Sequence, residues 1–151
     1  MQSTIFFLIL SMFFVLCTKE PKLPTAEEAQ SAVWGKIETA NDRWASGDPM
    51  GFLECAAPDI TWSEPFTPQN RVSGYEALKV FLEGFKGQVP PHKHELLDPM
   101  FQFYDDMMIV TYRYQGTFEG ELANPWRVTA VYRYIDGDWL SVHENWSEVN
   151  Q

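Results

Sequence analysis

Residues 126–148, WRVTAVYRYIDGDWLSVHENWSE, decide the fold class. Polar and apolar side chains alternate along 126–135 and 139–147, the period of two expected of strands with one buried face. Between them, the turn Ile135-Asp136-Gly137-Asp138 suits a tight hairpin. The same alternation predicts strands at about 94–104 and 107–118. These four strands are expected to form an antiparallel meander.

Three helices are predicted before this meander. Capping boxes open the first and the third, one formed by Thr25 with Glu28 and the other by Ser73 with Glu76. Asp48-Pro49 opens a second, short helix, because Asp accepts free amide hydrogens and Pro suits the first helical position. The expected ends are Gly47, Ala57 and Gly87, and a brief strand is expected at 60–64. Helices followed by an antiparallel meander predict one α+β domain over residues 25–151.

One face of the predicted sheet is apolar, and it is the expected core and pocket side. On this face, alternation in the second and third strands of the meander places Val110, Tyr112, Trp126, Val128, Ala130 and Tyr132. In the last strand it places Leu140, Val142 and Trp146 there, together with Glu144. A buried carboxyl is costly unless it is hydrogen-bonded, paired or protonated. Glu144 is therefore a pocket candidate, with a solvated position at the open end of the sheet as the alternative.

The opposite face of the predicted sheet is mixed in polarity and includes an aromatic side chain. Its members are Arg113, Arg127, Arg133, Trp139 and His143. A large aromatic on an outer face favours a subunit interface, so a homodimer through this face is expected.

Charge and the N-terminal residues limit the partners and the location. The 151-residue chain has a formal charge of −10, so no nucleic-acid partner is expected. The apolar run 5–16 is shorter than the ~20 residues that span a bilayer and indicates a signal peptide within residues 1–17. Cys17 is a possible lipidation site, with plain secretion, an uncleaved anchor or a helix packed on the domain as alternatives. Residues 18–24 are expected to form a tether, so the domain is expected in the periplasm or secreted, with or without a membrane anchor.

The remaining cysteine and the histidines show no sign of a metal or redox site. Without Cys17 as a partner, Cys55 is expected to be a buried small side chain rather than a nucleophile. His92 and His94 alternate beside a proline pair, but no third ligand is evident, so they are expected to be exposed. No metal and no cofactor is expected.

Three segments carry a resemblance to a known family. ITWSEPFTPQNRVSGYEALKVFL (60–82) resembles the ketosteroid isomerase pattern of an acidic residue before Pro, a loop, then Gly and a helix. GDPMGFL (47–53) is similar to that family's turn into its second helix, and ENWSEVN (144–150) to its final strand. The likeness spans about 25–150 and extends to SnoaL-like domains of the nuclear-transport-factor-2-like (NTF2-like) superfamily. It implies three N-terminal helices on a curved antiparallel sheet that forms a cone-shaped pocket, the cystatin-like α+β barrel.

The resemblance also assigns roles to individual positions. It places the family's catalytic base at Glu64, and Trp44 and Trp146 at positions that line the pocket. The positions of the two oxyanion-hole donors hold Ala40 and Ala130, and those of the supporting tyrosines hold Ala56 and Leu82. Without side-chain donors the main stabilisation of a dienolate is lost, so steroid isomerisation itself is not expected.

Three functions remain open from the sequence. The first is binding of an apolar or aromatic small molecule among Trp44, Tyr112, Trp126 and Trp146, with Glu64 accepting a hydrogen bond. The second is an isomerase-type or cyclase-type enzyme that uses Glu64 as its base. Its acid would come from Tyr112, Tyr132 or Glu144. The third is a dimeric interaction module.

Overall fold

The computed structural model describes residues 23–149. It contains the helices α1 (Ala26–Ala45) and α2 (Tyr75–Glu83) and two 3-10 helices (Pro49–Leu53 and Pro68–Asn70). The strands are β1 (Ala56–Ser63), β2 (Val72–Ser73), β3 (Lys93–Tyr104), β4 (Met107–Phe118), β5 (Glu121–Leu122), β6 (Trp126–Ile135) and β7 (Asp138–Glu148). None of the helices within 23–149 has the length and apolarity needed to cross a membrane. The predicted signal peptide and Cys17 lie outside the described residues.

Helix α1 forms as the sequence predicts. The Thr25 hydroxyl accepts from the Glu28 backbone N–H, and the Glu28 carboxylate accepts from the Thr25 backbone N–H at 2.8 Å. This reciprocal pair satisfies two amide hydrogens that have no partner within the helix. The buried stripe consists of Ala29, Val33, Ile37 and Ala40, and it holds α1 against the sheet.

The sheet confirms the predicted meander and extends it beyond β7 with β1 and β2. Its order is β2-β1-β7-β6-β4-β3, with β5 paired to β4. The pairs β3–β4, β4–β6 and β6–β7 are antiparallel, whereas β1 runs parallel to β7. In that parallel pair Trp62 lies opposite Glu144, and Ser63 lies opposite Asn145. This register brings Glu64, which follows the end of β1, beside the last strand.

Two of the predicted helices differ from the prediction. The second is a five-residue 3-10 helix, Pro49–Leu53, and β1 already begins at Ala56, so the predicted helix end at Ala57 is wrong. The third helix is α2, but Ser73 does not cap it. Ser73 is extended because it lies in β2 and pairs with Thr61 of β1. Gly74 precedes the helix at φ 91° and provides no side-chain cap. Two α-helices and a 3-10 helix therefore take the place of three α-helices.

A β-bulge in β7 reverses the alternation that the sequence predicts for its first half. Val131 pairs with His143, but the next residue, Tyr132, pairs with Ser141, so Val142 has no direct partner. An extra residue shifts every preceding side chain to the opposite face. Trp139 and Ser141 are consequently buried on the inner face, at 2% and 0% exposure. The predicted outer position of Trp139 is wrong, and so are the inner positions of Leu140 and Val142, which are half-buried on the other side.

Candidate functional site

A cavity of about 270 Å³ lies between the inner face of the sheet and the helices. Its walls come from the end of α1, the first 3-10 helix, the end of β1, α2 with the segment after it, β4, the start of β6 with the residues before it, and β7. The lining residues are Trp44, Phe52, Trp62, Glu64, Phe66, Leu82, Phe85, Gln88, Val89, Pro90, His92, Tyr114, Gly116, Phe118, Ala123, Asn124, Trp126 and Trp146. Most are aromatic or aliphatic, and the volume is just below the ~300 Å³ at which drug-sized pockets begin. The site suits a small, largely apolar molecule.

Stacked aromatic rings form the floor of the cavity. Trp62 and Trp146 stack with their ring centroids 5.9 Å apart and their planes 22° apart. They can do so because β1 and β7 are neighbours and both side chains point to the inner face. Phe52 meets both rings edge-on, at 5.2 and 5.6 Å. Such edge and offset contacts stabilise aromatic clusters beyond the area that they bury, so the three rings form a closely packed floor.

Glu64 places a carboxyl in this apolar wall. It directly follows β1, where a turn is held by the Thr67 hydroxyl and backbone N–H, which both donate to the Glu64 carbonyl oxygen at 2.7 and 3.0 Å. Burial raises the pKa of Glu64, and the nearby indole N–H of Trp62 opposes that rise. Trp62 Nε1 has no partner with hydrogen-bond geometry, although it is buried. The Glu64 carboxyl is therefore poorly solvated and takes up a proton more readily than an exposed glutamate.

A second carboxyl lies beneath the floor. Glu144 is 3% exposed, accepts from Trp146 Nε1 at 3.0 Å and from the Ser141 hydroxyl at 3.2 Å. Burial raises its pKa to about 7; the two hydrogen bonds act against this rise, and the charge of Glu64 adds to it. Glu144 does not line the cavity, but the indole of Trp146 connects the two, with its ring in the wall and its N–H on Glu144.

The structure brings together only some of the side chains proposed for the pocket. Glu64, Trp44, Trp126 and Trp146 line the cavity. The other five lie on the same sheet face but are buried in the core away from the cavity wall: Val110, Tyr112, Val128, Ala130 and Tyr132. Within that core the Tyr112 hydroxyl accepts from Asn41 Nδ2 at 3.3 Å, and the Tyr132 hydroxyl lies 3.7 Å from Cys55 Sγ.

The positions that the resemblance linked to other roles are also buried. Ala40 and Ala130 lie in the core and offer no side-chain donor. Ala56 is buried at the start of β1, whereas Leu82 lines the cavity. Cys55 is a buried free thiol whose pKa burial raises to about 11, as suits a core residue.

Sequence reasoning missed one polar residue of the wall, His92. His92 and His94 were expected to be exposed, and this is wrong, because both are half-buried. The His92 backbone N–H donates to the Ala45 carbonyl at 2.8 Å, which ties the proline loop to the end of α1. His92 thereby faces the cavity and is hydrogen-bonded to the Tyr114 hydroxyl at 2.5 Å. Strand alternation predicts that Tyr114 points inward. The position of His92 depends on a loop, and a loop has no periodic pattern from which this contact could be predicted.

Within residues 23–149 no group of three or more metal-ligating side chains comes together. His94 stacks on the ring of Tyr114, with ring centroids 5.3 Å apart and planes 12° apart. Its Nε2 lies 3.6 Å from an oxygen of Asp42. Both histidines thus contact Tyr114, His92 through a hydrogen bond to the hydroxyl and His94 by stacking on the ring.

Comparison with known proteins agrees with this architecture. A protein from Parabacteroides distasonis, provisionally described as a ketosteroid isomerase, is 26% identical and has a TM-score of 0.65, with 76% of this chain and 85% of that chain covered. An NTF2-like protein of unknown function from Pseudomonas putida is 22% identical, with a TM-score of 0.71 over 86% of this chain and 92% of the other. The CaMKII hub of S. rosetta is 23% identical, with a TM-score of 0.63 over 79% and 95%.

A search of curated protein sequences found no match. The SnoaL-like domain family matches residues 37–142, which contain the second half of α1, all of α2, β1 to β6 and the start of β7. Solved structures with a cystatin-like fold share the same α+β arrangement. The chain therefore belongs to the SnoaL-like domain family and has the cystatin-like fold of the NTF2-like superfamily.

Proposed function

We propose that this domain binds a small, planar, largely apolar molecule in the cavity and presents the Glu64 carboxyl to it. The observation that carries the proposal is the combination of an aromatic cavity with one poorly solvated carboxyl in its wall. Aromatic walls offer flat contact surfaces, and one polar point fixes the orientation of a ligand.

The exposed rim supports the same function. Phe66 is 63% exposed, although it is a large apolar side chain, and its ring centroid lies 6.3 Å from that of Trp126. Both residues line the cavity. An exposed aromatic beside the opening extends the apolar surface that a ligand can cover.

Tryptophan fluorescence tests this proposal directly, because Trp44, Trp62, Trp126 and Trp146 all line the cavity. We expect planar bicyclic aromatics such as 2-methoxynaphthalene to quench the emission saturably and to raise the melting temperature. Glu64→Gln should change the relative affinities among ligands with different polar groups. Asp59→Asn, which changes an exposed carboxylate on β1, the strand before Glu64, should leave them as they are. Absence of saturable quenching by every planar compound in a screen would contradict the proposal.

A second candidate is proton transfer with Glu64 as general base, and the raised pKa of Glu64 favours it. A base whose pKa lies closer to the working pH is more effective than an ordinary carboxylate. Ala40 and Ala130 provide no oxyanion donor, and among the described residues Tyr114 is the tyrosine that lines the cavity. Any stabilisation of an enolate by a phenol would fall to that residue, and its hydroxyl would first have to turn from His92 to the enolate oxygen.

Exchange of an acidic C–H measures this activity without a known substrate. The α-protons of 2-tetralone, a planar bicyclic ketone, should exchange into D₂O faster with wild type than with Glu64→Gln, by roughly 100-fold or more. The rate should rise with pH as Glu64 loses its proton. Equal rates for wild type and variant would remove the enzymatic candidate and leave the binding function intact.

We also propose that two copies pair through the outer face of the sheet. Ile109, Val131 and Leu140 leave half-buried aliphatic surface there, whereas Arg113 and Arg133 are paired within the chain with Asp98 and Asp106. Sedimentation equilibrium should give a dimer for wild type, and Val131→Glu should shift it to a monomer with an unchanged circular dichroism spectrum. A wild-type monomer at all concentrations would contradict this pairing.

For residues 1–17 we propose an export signal with lipid attachment at Cys17, which would hold the domain at a membrane surface. Fractionation of expressing cells should find wild type with the membranes and Cys17→Ser released from them. Wild type in the soluble fraction alone would contradict lipid attachment.

A further inference from the structure

His92 and Tyr114 form a second polar point in the cavity wall. His92 Nδ1 lies 2.8 Å from the Pro90 carbonyl oxygen, and His92 Nε2 lies at hydrogen-bond distance from the Tyr114 hydroxyl. A carbonyl oxygen only accepts, so Nδ1 must carry the hydrogen in the neutral imidazole. Nε2 then accepts, and the Tyr114 hydroxyl donates its hydrogen to it. The Tyr114 oxygen is left with acceptor capacity and without a free hydrogen.

Neighbouring side chains hold this pair in place. His92 stacks on Phe118 with ring centroids 4.2 Å apart and planes 22° apart, and His94 stacks on the other ring, that of Tyr114. Gly116 makes room for Phe118, because a Cβ at this position would lie 2.9 Å from Phe118 Cε2, whereas its 3.5 Å distance to His92 Cδ2 would be an ordinary contact. The observed position of the Phe118 ring therefore requires the absence of a side chain at position 116.

The pair lies on a different wall from Glu64. β7 and β6 separate β1 from β4 in the sheet, so three strand spacings, about 14 Å along the sheet surface, lie between the two polar points. The ring of Trp146 lies between them, 6.1 Å from the Tyr114 ring and 5.9 Å from the Trp62 ring. One ligand lying over Trp146 has a separate polar group to meet on each side.

We propose that Tyr114, polarised by His92, is a hydrogen-bond-accepting subsite that selects aromatic ligands bearing a hydroxyl of the phenol type. This inference rests on the proposed binding function and names the class of ligand. A phenol O–H can donate to the Tyr114 oxygen, whereas an ether or carbonyl oxygen at the same place would face an acceptor with no hydrogen to share. A buried polar atom left without its partner lowers affinity.

The test compares two ligands of nearly the same shape, 2-naphthol and 2-methoxynaphthalene, by isothermal titration calorimetry with the full chain at pH 7. Wild type should bind 2-naphthol roughly three- to tenfold more tightly, the ratio expected of one net hydrogen bond. Tyr114→Phe should bring the ratio near one by weakening 2-naphthol alone. Tyr104→Phe, which changes an exposed tyrosine at the end of β3, should keep the wild-type ratio.

A second variant covers the case in which Tyr114→Phe fails to fold. His92→Phe keeps an aromatic ring against Phe118 and frees the Tyr114 hydrogen, which can then donate to the ether oxygen. The ratio should again fall, this time because 2-methoxynaphthalene binds more tightly.

The outcomes separate this subsite from the binding function on which it rests. Equal affinities in wild type would overturn the subsite and leave the aromatic pocket standing. A ratio that survives Tyr114→Phe but is lost in Glu64→Gln would assign the hydroxyl to Glu64 and overturn the subsite as well. Failure of wild type to bind either compound would overturn both proposals.

Discussion

The Glu144 carboxyl shows how one residue can couple the core to the site. It is almost fully buried, yet both of its oxygens accept hydrogen bonds, from Ser141 and from Trp146. These bonds offset only part of the cost of burying a charge, so the pKa of Glu144 rises to about 7. Because Trp146 lines the cavity, a proton on Glu144 affects the hydrogen bond that orients one wall of the pocket.

The raised pKa predicts a pH dependence of stability. In the folded state Glu144 keeps a proton up to about pH 7, whereas in the unfolded chain it loses the proton near its ordinary value of 4.5. The contribution of Glu144 to the free energy of unfolding is therefore fully present below pH 4.5 and is lost as the pH rises to 7. Between pH 5 and pH 8 the wild-type free energy of unfolding should therefore fall by an amount on the order of 2 kcal/mol that is due to Glu144. Glu144→Gln should not show this fall.

Urea denaturation at pH 5 and pH 8 measures this loss. The wild-type free energy of unfolding should fall more between the two values than that of Glu144→Gln. Glu148→Gln, an exposed neutralisation on the same strand, serves as the control and should follow wild type. Parallel pH profiles for wild type and Glu144→Gln would show that Glu144 titrates normally.

At the scale of an element, the bulge at Val142 decides which side chains of β7 face the core. It buries Trp139 on the inner face, where the ring packs 5.4 Å from that of Tyr134 and 6.2 Å from that of Phe103. Trp139→Ala should therefore reduce the free energy of unfolding by about 3–5 kcal/mol. Leu140→Ala, on the half-buried outer side, should cost clearly less.

Chemical denaturation of the two variants tests which side chains of β7 face the core. Without the bulge, Trp139 would lie on the outer face and the order of the two losses would be reversed. A larger loss for Leu140→Ala than for Trp139→Ala would thus contradict the register that the structure shows.

Strand β4 supplies a second element-scale prediction, at Gly116. Gly116→Ala should displace the Phe118 ring from the cavity wall, because the new Cβ would lie 2.9 Å from Phe118 Cε2. We expect it to cost about 1–3 kcal/mol of stability and to weaken ligand binding. Gly35→Ala is the matched control, because its Cβ would meet nothing within 4 Å and it lies inside α1. That variant should gain about 0.5–1 kcal/mol. Thermal unfolding of both variants measures these changes. A Gly116→Ala variant as stable as wild type would contradict the prediction.

Periodic patterns predicted the elements well, and contacts between elements account for the differences. The alternation along β4 and β6 and the capping box at Thr25 depend on neighbours within a few residues, so the sequence carries them directly. The bulge at Val142 and the extended backbone of Ser73 depend on partners in other strands, Tyr132 and Thr61. Such partners override local pattern and local propensity.

The same distinction explains which site residues were predicted. Glu64 and Trp146 stand in short motifs that resemble a known family, and Trp126 follows strand parity. His92 reaches the cavity only because its backbone binds the end of α1 at Ala45. The inward position of Ser141, the partner of Glu144, follows from the bulge and not from parity.

At the scale of the whole molecule, the cavity exists because the two ends of the domain meet. β1 inserts beside β7 in parallel, so that Trp62 stacks on Trp146 and Glu64 enters the wall formed by the C-terminal strand. The loop at residues 90–92 closes the other side through α1 and β4. A ligand in the cavity would therefore contact segments from nearly the full length of the described chain, and its binding should stabilise the domain as a unit.

The titration of Glu64, followed by the ¹³C resonance of its carboxyl group and assigned with Glu64→Gln, tests the central claim most directly. In the free protein the midpoint should lie above 4.5, because the cavity wall desolvates the carboxylate. Saturation with 2-methoxynaphthalene should raise the midpoint further, since a ring over the carboxyl excludes more water. A midpoint at 4.5 that the ligand does not move would mean that Glu64 does not face a ligand-binding cavity.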